Sequence, residues 1–283
     1  MPFIFNSFYP TFVSKQTTLQ EISGKTIWIT GASSGIGEAT AYQMAEEGVK
    51  LILTATNTQK LLAVQHRCTK LGADCAILPH DLSNTDNIHM LATQAMALFG
   101  SIDILFLNAG ISQRAKALDT DDVVDQKIMQ VNYFAPVKIA KTILPAMIAH
   151  GGGTIAVTTS ISGKFGFPLR SSYAASKFAL YGFFETVQAE YYDNNIRVVF
   201  ICPGRVRTNI SYNALEANGT KHAQLDEGQA SGITAEKAAR QIVSAIRHQK
   251  REVLIGGKEL LMVYIKRFFP AWASRLVRKI RAT

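Results

Sequence analysis

Residues 30–37 read Thr30-Gly31-Ala32-Ser33-Ser34-Gly35-Ile36-Gly37, directly after the apolar run 25–30 (KTIWIT) and directly before a segment of helical spacing. Gly31, Gly35 and Gly37 permit a tight turn and a close backbone approach. The helix that starts at Ile36 turns unpaired N–H groups and a partial positive charge towards that turn, where a pyrophosphate finds its donors. Three neighbouring glycines alone are weak evidence, but GxxxGxG between a strand and a helix marks a dinucleotide site. Ser33 and Ser34 add hydroxyl donors.

Working outward, the runs 25–30, 50–55, 73–78, 102–107, 153–159 and 196–201 are short, apolar and rich in β-branched residues, as buried strands are. Between them lie the helical patterns 36–47, 58–71, 85–99, 121–149 and 172–193. Ser83, followed three residues later by Asp86, predicts a capping box for the third of these. Strand and helix alternate throughout, which predicts the α/β class: a single Rossmann-like domain, a doubly wound parallel sheet flanked by helices. We expect this domain over 24–257, an N-terminal extension over 1–23 and a basic helical extension over 258–283. A polar stretch, 211–232, precedes a helix near Thr234 and a short strand at 252–255, and is placed to close over a ligand.

The TGxxxGIG spacing resembles the short-chain dehydrogenase/reductase family, and further motifs match it in order from about Gly24 to Gly257. Asp81 and Leu82, after the third strand, resemble the pair that contacts the adenine. Asn108, Ala109 and Gly110 resemble the NNAG motif, with Leu107 in place of its first Asn. Pro203 and Gly204, with Val206 and Thr208, resemble the PGxVxT segment that holds the nicotinamide amide. The resemblance implies a nicotinamide cofactor. After the second strand comes Thr54-Ala55-Thr56-Asn57, with no acid to bind ribose hydroxyls and repel a 2′-phosphate. The basic residues that NADP-preferring members often carry at the places of Thr56 and Ser34 are missing too. Ser33, Thr56 and Asn57 can still donate to a phosphate, so NADP(H) is favoured and NAD(H) is the alternative.

Tyr173-Ala174-Ala175-Ser176-Lys177 sets Tyr and Lys one helical turn apart on one face. A phenol of pKa ~10 is a poor acid or base near neutrality, and a neighbouring ammonium with a cationic nicotinamide favours the phenolate. Ser160, 13 residues earlier at the end of a strand, resembles the family's catalytic serine, whose hydroxyl steadies the substrate oxygen. Thr159 and Ser162 are the neighbouring hydroxyl alternatives. Asn132 resembles the asparagine that supports a water relay to the lysine. The resemblance therefore implies interconversion of a carbonyl and an alcohol, with Tyr173 transferring the proton. Lys177 lowers the tyrosine pKa and holds the nicotinamide ribose.

The chain of 283 residues is 47% hydrophobic and 18% charged, enough for one large core. Cys68, Cys75 and Cys202 are isolated, which fits a reducing, cytoplasmic compartment. His66, His80, His89, His150, His222 and His248 lack metal-ligand spacing, so no metal is expected. The formal charge of +9 is concentrated at the end, where Lys258, Lys266, Arg267, Arg275, Arg278, Lys279 and Arg281 oppose the single acid Glu259. Without a recognition motif or interleaved aromatic platform, nucleic acid is not the expected partner; a membrane surface or an acidic partner fits better. Trp272, Leu276 and Ile280, at i, i+4 and i+8, predict one amphipathic tail helix for peripheral membrane contact. No apolar run in the tails approaches the ~18 residues of a membrane span. The stretch that holds Phe3, Phe5, Phe8, Tyr9 and Phe12 lacks the basic start and cleavage site of a secretory signal; packing of these aromatics on the body or a neighbouring subunit is the alternative expectation.

The substrate class is less legible. GGKELLMVYIKRFFP (256–270) and ASG (230–232) resemble microsomal-type dehydrogenase/reductase relatives that act on steroid, retinoid or other lipid-like carbonyls. A 3-oxoacyl carrier-protein reductase is the alternative enzyme. A nucleotide-binding regulator and a membrane-associated interaction protein are the non-enzyme alternatives. A homodimer or homotetramer is expected.

Overall fold

The computed structural model describes residues 19–280, so the N-terminal aromatics and Arg281 lie outside the described residues. The strands are β1 (Thr26–Thr30), β2 (Lys50–Thr54), β3 (Asp74–Ile77), β4 (Ile104–Leu107), β5 (Gly153–Thr158), β6 (Ile196–Pro203) and β7 (Glu252–Ile255). They form one sheet in the order β3-β2-β1-β4-β5-β6-β7 with every pair parallel. The order reverses between β1 and β4. Chains leaving those two strands diverge to opposite sides, and a cleft opens beyond their carboxyl ends.

The helices are α1 (Gly35–Ala45), α2 (Thr58–Lys70), α3 (Ile88–Phe99), α4 (Asp122–Met129), α5 (Ala135–Ala149) and α6 (Ser171–Glu190). They continue with α7 (Glu227–Ala230), α8 (Ala235–Arg247), α9 (Leu261–Phe268) and α10 (Pro270–Val277). Successive strand side chains point to opposite faces, so Ile27 and Ile29 of β1 enter one core layer with Met44, Val64 and Ile242 of α1, α2 and α8. Trp28 enters the other, with Leu91, Ile139 and Phe184 of α3, α5 and α6. Its indole N–H is satisfied within the sheet by Thr54 Oγ1 at 2.9 Å.

Three sequence expectations are corrected. Helix α3 begins at Ile88, and Ser83 and Asp86 form no capping box. Their backbone N–H groups donate instead to the side chains of Asp81 (2.9 Å) and Asn84 (3.3 Å), local turns that compete with helix. The pattern 121–149 is interrupted by a π-helical turn, Gln130–Phe134, where the Ala135 N–H reaches back to the Gln130 carbonyl. Pro136 has no N–H for the Asn132 carbonyl four residues before it, so the regular ladder fails there. The tail is two short helices, because the residue before a proline is pushed out of the helical region and Phe269 sits at φ −133°, ψ 63°.

Candidate active site

The cleft has a volume of about 1040 Å³. At one end the glycine-rich turn packs against the loop that follows β4. Gly31 has φ +68°, and a Cβ there would lie 2.8 Å from the Ala109 Cα. A Cβ on Gly37 would lie 2.2 Å from the Gly31 carbonyl oxygen, so only glycine lets α1 start this close to the strand. Asn108 braces the turn, its Nδ2 donating to the carbonyls of Thr30 (3.2 Å) and Gly31 (3.3 Å) while its Oδ1 accepts from Thr158 Oγ1 (3.2 Å). Ser34 occupies the N-cap of α1 without a side-chain cap hydrogen bond, which leaves the first N–H groups of the helix for a ligand. This cradle fits a dinucleotide pyrophosphate.

The structure brings the sequence-predicted residues together. Gly31, Ser33, Ser34, Gly35, Ile36, Thr56, Asn57, Asp81, Leu82, Asn108, Ala109, Gly110, Pro203, Gly204, Val206 and Thr208 line the cleft with Ser160, Tyr173 and Lys177. Gly37 and Asn132 stand behind its wall. Asn57 Oδ1 is occupied as the N-cap of α2, accepting from the Lys60 N–H at 2.9 Å, which leaves the amide nitrogen as the side chain's donor.

At the other end Ser160 caps the short turn Ile161–Gly163, its hydroxyl accepting from the Ser162 N–H at 3.1 Å and donating to the Pro203 carbonyl at 3.4 Å. Asn132 ties three segments. Its side chain accepts from the Ile111 N–H (2.9 Å) and donates to the Ile111 carbonyl (2.9 Å) and to Ser176 Oγ (3.0 Å). The π-helical turn carries it into that position between the loop after β4 and α6. Lys177 donates to the Thr158 carbonyl at 2.8 Å, and burial lowers its pKa from 10.5 to about 8. Burial raises the Tyr173 pKa, while the Ser160 hydroxyl beside it and the guanidiniums of Arg170 and Arg114 act in the opposite sense. Sequence reasoning assigned that lowering to Lys177; in the structure its leading sources are Ser160 and the two arginines.

Sequence reasoning missed several residues of the cleft. Lys60 lines it together with Ser33, Ser34 and Thr56. It lies one turn into α2, so a basic residue three positions after Asn57 was the available signal. Arg114, Arg170 and Asp226 also line the cleft, from three separate segments. Met262 and Ile280 reach it from the tail, although Ile280 was expected on one apolar helix face with Trp272 and Leu276. Helix α10 ends at Val277, so Ile280 lies beyond it and leaves the face that Trp272 and Leu276 share.

Residues 25–219 match the short chain dehydrogenase family model. This chain belongs to that family. It is accordingly an oxidoreductase. The relatives it resembles include dehydrogenase/reductase SDR family protein 7-like of Drosophila melanogaster, 37% identical over 91% of this chain and 82% of the relative. Human dehydrogenase/reductase SDR family member 7 is 38% identical over 92% and 78%. Among solved structures, a short chain dehydrogenase/reductase from Burkholderia phymatum in complex with NAD superposes with a TM-score of 0.79 at 25% identity, covering 92% of this chain and 97% of that one. A nicotinamide cofactor is supported. Among the described residues no helix is long and apolar enough to cross a membrane.

Proposed function

We propose that this oxidoreductase interconverts a carbonyl and an alcohol on a hydrophobic, lipid-like substrate, with NADP(H) as the favoured cofactor. The observation that carries the reading is the meeting of Ser160, Tyr173 and Lys177, with Asn132 braced behind them, in the cleft whose lining also includes Phe165, Phe167, Met262 and Ile280. The nicotinamide, when bound, supplies or accepts the hydride. Ser160 orients the substrate oxygen and Tyr173 gives it a proton in reduction or takes one in oxidation. Lys177 holds the nicotinamide ribose and, charged, favours the phenolate; Asn132 fixes the backbone around both.

Lys60, together with Ser33 and Thr56, supports a 2′-phosphate where the end of β2 carries no acid. Exposed Phe134 and Phe178, on adjoining helical segments, support self-association into a dimer or tetramer. Exposed Phe268, Phe269 and Trp272, among the basic residues of the tail, support peripheral contact with a membrane.

NADPH oxidation measured against steroid, aldehyde, quinone and 3-oxoacyl thioester panels tests the reading, with Tyr173→Phe as control. Turnover of lipid-like carbonyls is the expected result. Preference for the thioesters would replace the lipid reading with the carrier-protein one, and no turnover of any panel would reject carbonyl chemistry.

A further inference from the structure

Between β6 and α8 the chain makes a long excursion, 204–234, over the mouth of the cleft. Its backbone is joined to the loop after β4: the Arg114 N–H donates to the Leu215 carbonyl (2.8 Å) and the Leu215 N–H to the Ser112 carbonyl (2.9 Å). A second connection is ionic and buried. Arg114 Nε donates to Asp226 Oδ1 and Oδ2 at 3.3 and 3.1 Å, and its Nη2 also reaches Oδ2. Its remaining nitrogen, Nη1, donates to Ser112 Oγ (3.1 Å) and to the Gln113 carbonyl (2.6 Å). The two side chains are only 2% and 5% exposed. Arg170, three residues before Tyr173, adds Nη2 to Asp226 at 3.4 Å and Nη1 to Ser112 Oγ at 2.6 Å.

A buried ion pair contributes little net stability, because desolvation offsets attraction. What this one supplies is geometry. Asp226 is the node at which the β4 loop, the start of α6 and the excursion meet. We propose that Arg114 and Asp226 are positioning residues for the reaction: their ion pair latches 204–234 onto the wall of the cleft that carries Tyr173, and Arg170 links the pair's charge balance to the phenol. The inference rests on Tyr173 being the proton-transferring group.

The groups facing the phenol are Ser160, Lys177, Cys202, Arg170 and Arg114. Around Asp226 stand Ser112 and Ser211 with His222, which in turn pairs with Glu216. Arg114 and Arg170 favour the phenolate against the effect of burial, and the Asp226 carboxylate tempers both. Removing the carboxylate and removing a guanidinium therefore change the field at Tyr173 in opposite directions.

The test is the pH profile of kcat/KM for carbonyl reduction, whose alkaline limb reports loss of a proton from the neighbouring Lys177 and Tyr173, both of which sense the same charges. Asp226→Asn is expected to move that limb down and Arg114→Gln to move it up, each by about one pH unit. A packing role alone lowers rates without opposite shifts. In parallel, both variants are expected to speed hydrogen exchange over residues 206–230 while β4 and β5 keep their protection. Ser112→Ala, which weakens both guanidinium anchors and leaves every charge in place, is expected to speed that exchange at an unchanged limb. It also decides the matter if the charge variants do not give a cooperative melt. Unmoved or parallel limbs, or unchanged exchange over 206–230, would overturn the latch. A fully active Tyr173→Phe would instead overturn the assignment on which it rests.

Discussion

The Lys177 ammonium donates to the Thr158 carbonyl at 2.8 Å, pinning the middle of the active-site helix to the end of the strand that leads to Ser160. The contact sits in a buried environment that holds the lysine pKa at about 8 instead of 10.5. The unfolded chain therefore binds this proton more tightly. The lysine's contribution to stability falls as pH drops through that window, to a deficit on the order of 3 kcal/mol below it. Lys177→Met should thus compare more favourably with the parent at pH 7 than at pH 10, while turnover falls at least ~100-fold. Thermal melts at the two pH values check this. A stability difference that does not change with pH would contradict a buried, proton-losing ammonium.

Tyr173→Phe removes one hydroxyl and leaves the ring in place. Cofactor binding, followed by nicotinamide fluorescence, should stay within about threefold of the parent, since a site far from the pyrophosphate cradle is changed. Turnover should fall by at least ~100-fold, the lower end of a general acid/base contribution. Near-normal turnover would remove Tyr173 from the mechanism.

Cofactor preference turns on the end of β2. Ala55→Asp introduces an acceptor for ribose hydroxyls and a charge that repels a 2′-phosphate, and Lys60→Ala removes a cation from the lining of the same cleft. Each should lower the ratio of kcat/KM for NADPH to that for NADH by about tenfold, equivalent to ~1.4 kcal/mol. A parent enzyme that prefers NADH would reverse the cofactor proposal.

The tail offers a prediction that spares the fold. Phe268, Phe269 and Trp272 are 69%, 62% and 63% exposed, so changing all three to Ser disturbs little packing. The triple variant should lose co-sedimentation with anionic vesicles, which salt should also weaken in the parent. Truncation should be made after Leu260, because Glu259 Oε1 accepts from the N–H groups of Arg205 (2.7 Å) and Gly257 (3.0 Å) and so holds the loop of Gly204. Undiminished vesicle binding by both variants would place the membrane contact elsewhere. A change of oligomeric mass without vesicle binding would identify the patch as a subunit contact.

The sequence by itself determined the parallel α/β sheet and the glycine turn, and its resemblance to the family singled out Asn132, Ser160, Tyr173 and Lys177 as candidates. Sheet and turn depend on local periodicity and on spacings within a few turns of chain, and physical chemistry acts on such neighbours directly. Even so, two interruptions were written there and read through: Pro136 breaks the long helix at Asn132, and Pro270 splits the tail. Tertiary structure alone decided which distant charges face one another. Arg114, Arg170 and Asp226 stand 112 residues apart at their extremes, and only the crossing of three segments over the cleft buries them together. It also turned Ile280 into the cleft while leaving Trp272 exposed. Periodicity specifies which side of an element is apolar, but what that side meets depends on where the rest of the chain has been placed.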